Sequence, residues 1–120
     1  MKIVMLKLSN FQEVIARIDE EKMSVEDFLN LNFDKIELNH AMFVAGMSQK
    51  EHDGQQYSVP ELQPLNIFGE DFETPITMSI SGILYTHMGN SGLREYYQQV
   101  TAQITGGIVE PPEKNIILPK

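Results

Sequence analysis

The chain has no cysteine and no tryptophan. Without cysteine there is no disulfide framework and no thiolate metal site, which agrees with a reducing compartment without proving one. Long apolar runs are absent too, and no stretch approaches the roughly 18 residues that a membrane span needs. A charged leader with an apolar core and a small-residue cleavage site is missing, and strand-forming residues begin at once, so the expected place of action is the cytoplasm. Positive charge is scarce: 9 basic residues face 17 acidic ones, for a formal net charge of −8 and a pI near 4.7. Phosphate-backbone binding draws most of its affinity from Lys and Arg, so this balance counts against non-specific nucleic-acid binding. It leaves room for a local site, because fields are screened within about 10 Å at 0.1 M salt.

What is present is enough apolar material for one domain. At 120 residues with 42% hydrophobic and 22% charged content, the chain is long enough to bury a core. Residues 2–20 hold two apolar runs, Ile3-Val4-Met5-Leu6 with Leu8 and Val14-Ile15-Ala16 with Ile18, joined by Ser9-Asn10-Phe11-Gln12. Strong β-formers on both sides of so short a polar turn predict an antiparallel hairpin. Ser24 with Asp27 three positions on has the pattern of a capping box, and Val25, Phe28 and Leu29 would form one apolar side of a helical turn. A structured loop fits these residues equally well.

A strand is expected over residues 35–45, with Gly46 permitting a bend or bulge. Residues 48–56 are polar and contain Asp53-Gly54, a strong turn signal, so they read as an exposed hairpin tip. A returning strand over residues 57–65 carries Pro60 and Pro64, which confine it to a sheet edge or an interruption. Gly69-Glu70-Asp71 marks a loop. Residues 76–80 alternate apolar with polar as a half-buried strand does; Ser81-Gly82 interrupts them and residues 83–86 resume, which predicts a sharp corner. Asn90 or Ser91 would cap a helix whose apolar face is Leu93, Tyr96 or Tyr97, Val100 and Ile104, ended by Gly106-Gly107. The expected organisation is one mostly β domain over residues 1–109, with a hairpin extension near 46–65 and a tail over 110–120.

Chemistry-bearing motifs are sparse. His40, His52 and His87 lack ligand spacing, and contiguous acids such as Glu20-Glu21 and Glu26-Asp27 read as a solvated face. Glu70-Asp71 with Glu73 is a generic carboxylate cluster of the kind that divalent cations accept. No nucleophile, base and orienting group stand in a recognisable pattern. The seven methionines read as adaptable core filler.

Several short strands, two of them hinged at a glycine, are what a small, strongly bent antiparallel barrel requires. In this the chain resembles the Sm-like (LSm/Hfq-like) family, and more closely the small Sm-like proteins of marine phages of cyanophage type. The resemblance is carried by Leu6-Lys7-Leu8-Ser9-Asn10-Phe11-Gln12-Glu13-Val14-Ile15-Ala16-Arg17-Ile18, by Ile36-Glu37-Leu38-Asn39 and by Ile80-Ser81-Gly82-Ile83-Leu84-Tyr85. Tyr96-Tyr97-Gln98-Gln99 and Thr105-Gly106-Gly107-Ile108-Val109 extend it. Phe11 stands where that family has a turn glycine, and Ala16 where Sm proteins have a second glycine. Asp34-Lys35 lies where Sm proteins place a base-reading Met-Asn, and Ser81 replaces a phosphate-facing Arg.

The resemblance implies a barrel of about five strands with a C-terminal helix, assembled into a cyclic homo-oligomer of about five to seven copies. It implies a non-enzymatic RNA-binding (or single-stranded-DNA-binding) module without a cofactor or metal, acting in the host cytoplasm. Its site would be Asp34, Lys35, Ser81 and Gly82. The alternative is a structural or protein-interaction ring that binds a host or virion protein through its acidic face and the 46–65 hairpin.

Overall fold

The computed structural model describes residues 1–65 and 72–105. The elements are β1 (Lys2–Leu8), β2 (Glu13–Ile18), α1 (Val25–Leu29), β3 (Lys35–His52), β4 (Gln55–Pro64) and β5 (Ile76–Ser79). A 3-10 turn (Ile80–Gly82), β6 (Ile83–His87) and α2 (Ser91–Thr105) follow. The protein is mostly β: six antiparallel strands run in the order β4-β3-β2-β1-β6, with β5 paired to the first residues of β3 and a helix at the C-terminal side. Among the described residues no helix is long and apolar enough to cross a membrane.

The first hairpin forms as its sequence predicts, with Lys2 opposite Ile18 and Lys7 opposite Glu13. β1 is paired on both edges, by β2 and β6, and buried residues pack on both its faces, so the strand period of two divides its apolar run between two cores. Val4, Leu6 and Leu8 face one way and join Val14, Ala16, Ile18, Ile36, Leu38 and the α1 residue Phe28. Ile3 and Met5 face the other way and join Ile15, Met42 and Tyr97 of α2. Each large side chain so buried contributes about 1.5–3 kcal/mol of transfer free energy. α1 and α2 therefore cover opposite sides of the same strands.

The helix ends follow local chemistry. Ser24 accepts from the Asp27 amide at 3.1 Å and caps α1. Asp27 does not complete the box, because its carboxylate takes the Asn32 amide at 3.0 Å instead. Only Phe28 is buried, whereas Leu29 is exposed, so the expected apolar side of this turn is one residue wide. Asn90 caps α2 by accepting from the Leu93 amide at 2.8 Å.

The long hairpin departs from its expected outline. β3 runs to His52 and β4 starts at Gln55, so most of the polar stretch 48–56 is paired strand and the connection is Asp53-Gly54 alone. Their φ angles of 52° and 78° are the left-handed pair that a two-residue hairpin turn of type I′ uses. Among the described residues β4 pairs with β3 alone, which gives Pro60 and Pro64 the edge position that a residue without an N–H requires. The register shifts between Val44 and Gly46, the bulge that the glycine announced. α2 buries Tyr97 and Thr101, while Ile104, expected on its apolar face, is exposed. The loop glycine Gly69, Glu70, Asp71, the Gly106-Gly107 stop and the 110–120 tail lie outside the described residues.

Candidate functional site

The four residues singled out in the sequence come together around the 3-10 turn. Lys35 begins β3 opposite Ser79, the last residue of β5. The next amide, that of Ile80, donates to the Asp34 carbonyl at 2.9 Å. Ser79 caps the turn: its hydroxyl lies 3.1 Å from the Ser81 hydroxyl and accepts from the Ser81 amide at 3.4 Å. The Gly82 carbonyl accepts from the Ser9 amide at 2.9 Å, which fastens the β1–β2 turn to the same corner. Asp34, Lys35 and Ser81 are exposed, and among the described residues no ion pair takes Lys35. A small cavity of about 160 Å³ opens beside Lys35, walled by Ile18, Met23 and Ile36 and edged by Asp19, Lys22 and Glu37.

The corner is made by the 3-10 turn, not by glycine freedom. Gly82 has no positive φ, and a Cβ there would meet Met78 Cγ at an ordinary 3.8 Å. Phe11 is where unusual geometry sits. The Phe11 amide donates to the Leu8 carbonyl at 2.8 Å, and Leu8 N–H donates to Gln12 O at 2.9 Å, closing a tight turn. Asn10 Oδ1 accepts from the Gln12 amide at 3.0 Å. The turn holds Phe11 at φ 68° with 73% of its surface exposed. A bulky L-residue in this region costs about 1–2 kcal/mol, and no burial offsets it.

A second polar constellation lies where α2 crosses β2 and β3. Arg17 pairs with Asn39 and Ile15 with Met42, so His40 and Ala41 together oppose Ala16 in a β-bulge. The bulge puts His40 at φ 50°. Arg17 Nη1 can only donate, so His40 Nδ1 accepts from it at 3.0 Å, and the proton on Nε2 reaches Glu73 Oε2 at 2.6 Å. Arg17 also donates to Thr101 Oγ1 at 3.2 Å and lies 5.2 Å from the Tyr97 ring centre. Tyr97 donates to the His40 carbonyl at 2.6 Å. Both ring nitrogens of His40 are thus committed, which leaves it no lone pair for a base to use; the network ties α2 to the sheet. The network also gives the buried Thr101 hydroxyl a partner. Glu73, the described member of the carboxylate cluster named above, is in this network, and among the described residues no group of three or more His, Asp or Glu is placed to hold a metal.

Burial pushes the Tyr97 phenol well above the ordinary tyrosine value of 10.0, against a smaller opposite pull from Arg17. Tyr96 is raised as well, by burial and then by the Glu61 carboxylate. Above pH 10 the unfolded chain releases these protons first, so the stability that neutral Tyr97 contributes is present below about pH 10 and lost as pH rises beyond it. Melting temperature followed by circular dichroism is therefore expected to fall from about pH 10 upward, and less steeply in Tyr97→Phe.

On the α2 side of the sheet, the projecting β3–β4 arm and the start of α2 enclose a groove of about 780 Å³. Its apolar lining comes from Met5, Val44, Met47, Tyr57, Pro60 and Leu93. Near it, Glu13 gathers Lys7 Nζ at 3.5 Å, Tyr85 Oη at 3.3 Å and His87 Nε2 at 3.6 Å. Local pattern pointed to neither this groove nor the Arg17 network, since each joins residues from distant parts of the chain. No protein-family model matches this chain, and no curated protein matches it in sequence.

Proposed function

We propose that this protein is a non-enzymatic Sm-like module that assembles into a ring of about five to seven copies and binds RNA, or single-stranded DNA, in the host cytoplasm. The observation that carries the reading is the convergence of Asp34, Lys35, Ser81 and Gly82 at one exposed corner. There Lys35 stands opposite Ser79 in the strand register, and the Ser79 and Ser81 hydroxyls lie 3.1 Å from each other, a residue mixture suited to phosphate oxygens and base edges. The path of the chain supports a bent barrel: β5 pairs with β3, β6 pairs with β1, and one 3-10 turn joins them. Such a short link draws distant parts of the sheet toward each other. Among the described residues β4 and β6 each pair on one side, and copy-to-copy pairing of those edges closes a ring and removes the exposed-edge hazard. In a ring the corners of successive copies face a common strand, so weak contacts add through multivalency.

The test is a titration of labelled oligo-U and oligo-A followed by fluorescence anisotropy at several salt concentrations. Saturable binding that weakens with salt is the expected result. No binding at low salt would remove the nucleic-acid reading. The second reading, a ring that holds a protein, is favoured by two separate observations. Residues 19–37 carry seven acids against two bases, and the 780 Å³ apolar groove lies along the 46–65 arm. The acidic segment and the groove lie on opposite sides of the sheet, so a basic partner surface would meet the first and an apolar anchor the second.

A further inference from the structure

The turn that joins β1 to β2 holds a feature that folding alone does not reward. Phe11 combines a left-handed φ of 68° with 73% exposure. Glycine would hold this conformation without strain, and a polar residue would suit the exposure. The chain spends stability to hold an aromatic ring in solvent, and strained, exposed positions of this kind are found where a surface meets something else.

The surroundings indicate what that is. The turn is fastened to the candidate corner by the Ser9 N–H to Gly82 O bond of 2.9 Å. The neighbours of Phe11 within the turn, Ser9, Asn10 and Gln12, are all polar, and the corner beyond adds the Ser79 and Ser81 hydroxyls at 3.1 Å from each other. A protein hot spot places its aromatic anchor inside an apolar patch that excludes water. A flat ring flanked in its own turn by hydrogen-bonding residues, with exposed Leu84 and Tyr85 following the corner in β6, matches the two parts of a nucleobase, a π-face to stack on and polar edges to read.

We propose that Phe11 is the stacking residue of the nucleic-acid site, carrying one unpaired base of RNA or single-stranded DNA beside the Asp34, Lys35, Ser81 and Gly82 corner. This rests on the nucleic-acid reading above and adds to it a residue that the resemblance marks only as a departure from glycine. Its base preference is weak, because every base offers a π-face.

The chain has no tryptophan, so Phe11→Trp installs a single reporter at the proposed stack. Titration with oligo-U or oligo-A is expected to quench its emission, excited to the red of tyrosine absorption, and to saturate at the affinity measured by anisotropy for the wild type. Phe11→Gly is expected to bind roughly tenfold more weakly, the loss of one base stack, while melting at or above the wild-type temperature because the left-handed strain is gone. Phe11→Leu keeps the apolar bulk without the ring and is expected to follow Phe11→Gly in binding. If wild type binds and Phe11→Gly binds equally, the stacking assignment falls and the nucleic-acid reading stands. If wild type binds nothing at low salt, both fall together. If Phe11→Gly alters the solution mass, the ring is a copy-to-copy contact and the assignment is overturned.

Discussion

Replacing Tyr97 by alanine is expected to destabilise the protein by about 3–5 kcal/mol, the range for deleting a buried aromatic side chain. Tyr97 is fully buried among Ile3, Met5, Ile15 and Met42. The substitution leaves a cavity under α2, removes the 2.6 Å hydrogen bond to the His40 carbonyl and withdraws the ring beside Arg17. Total stability of a domain is about 5–15 kcal/mol, so this loss takes a large share of it and lowers the melting temperature by about 10–25 °C. Tyr97→Phe keeps the packing and gives up only the hydrogen bond, at about 1 kcal/mol. Thermal melts of the two variants side by side separate the contributions. A Tyr97→Ala protein that melts with the wild type would mean that α2 is not part of the core.

Phe28→Ala is expected to cost a similar 3–5 kcal/mol, on the opposite side of the sheet. α1 spans only Val25–Leu29, and Phe28 is its one buried residue. A helix this short has no independent stability. It is held by that side chain, by its Ser24 cap and by the 2.8 Å bond from Thr86 Oγ1 to the Phe28 carbonyl. Once Phe28 is removed, residues 30–34 lose their anchor, and Asp34 is the last of them before β3 begins. The variant is therefore expected to melt earlier and also to lose amide protection around Asp34 and Ile80 in hydrogen exchange. Phe28→Leu, close in volume, is expected to cost less than about 1.5 kcal/mol and to leave that exchange pattern intact.

Local pattern reached much of this architecture. The first hairpin, the Asp53-Gly54 turn, the edge placement of Pro60 and Pro64, the bulge at Gly46 and the Ser24 and Asn90 caps each follow from residues within a few positions of one another. The bend at Ser81-Gly82 was legible for the same reason, since the alternation of residues 76–80 breaks there, whereas the choice of Asp34 and Lys35 as its neighbours came from the resemblance alone.

What local pattern missed depends on pairing between distant segments. Residues 48–56 look like a loop because both faces of the β3–β4 arm near its tip are exposed. Ladder hydrogen bonds satisfy the backbone there, so apolar residues are not needed. Helical spacing puts Tyr97, Thr101 and Ile104 on one face of α2, but only the first two are buried. The buried threonine is matched by Arg17, 84 positions away, which donates to its hydroxyl. The left-handed φ of His40 comes from a bulge whose other strand is β2. Glu73, read in the sequence as part of an acidic cluster whose other members lie outside the described residues, is a hydrogen-bond partner of His40, 33 positions away.

The account stands most directly on assembly, because the corner of a single copy offers one lysine and a few hydroxyls, and only a ring multiplies them. The measurement is the mass of the purified full chain in solution by light scattering on a sizing column. The account predicts one species of five to seven times the 13.7 kDa subunit. A monodisperse monomer over the micromolar range would contradict it, and would leave the open edges of β4 and β6 without the partner assigned to them.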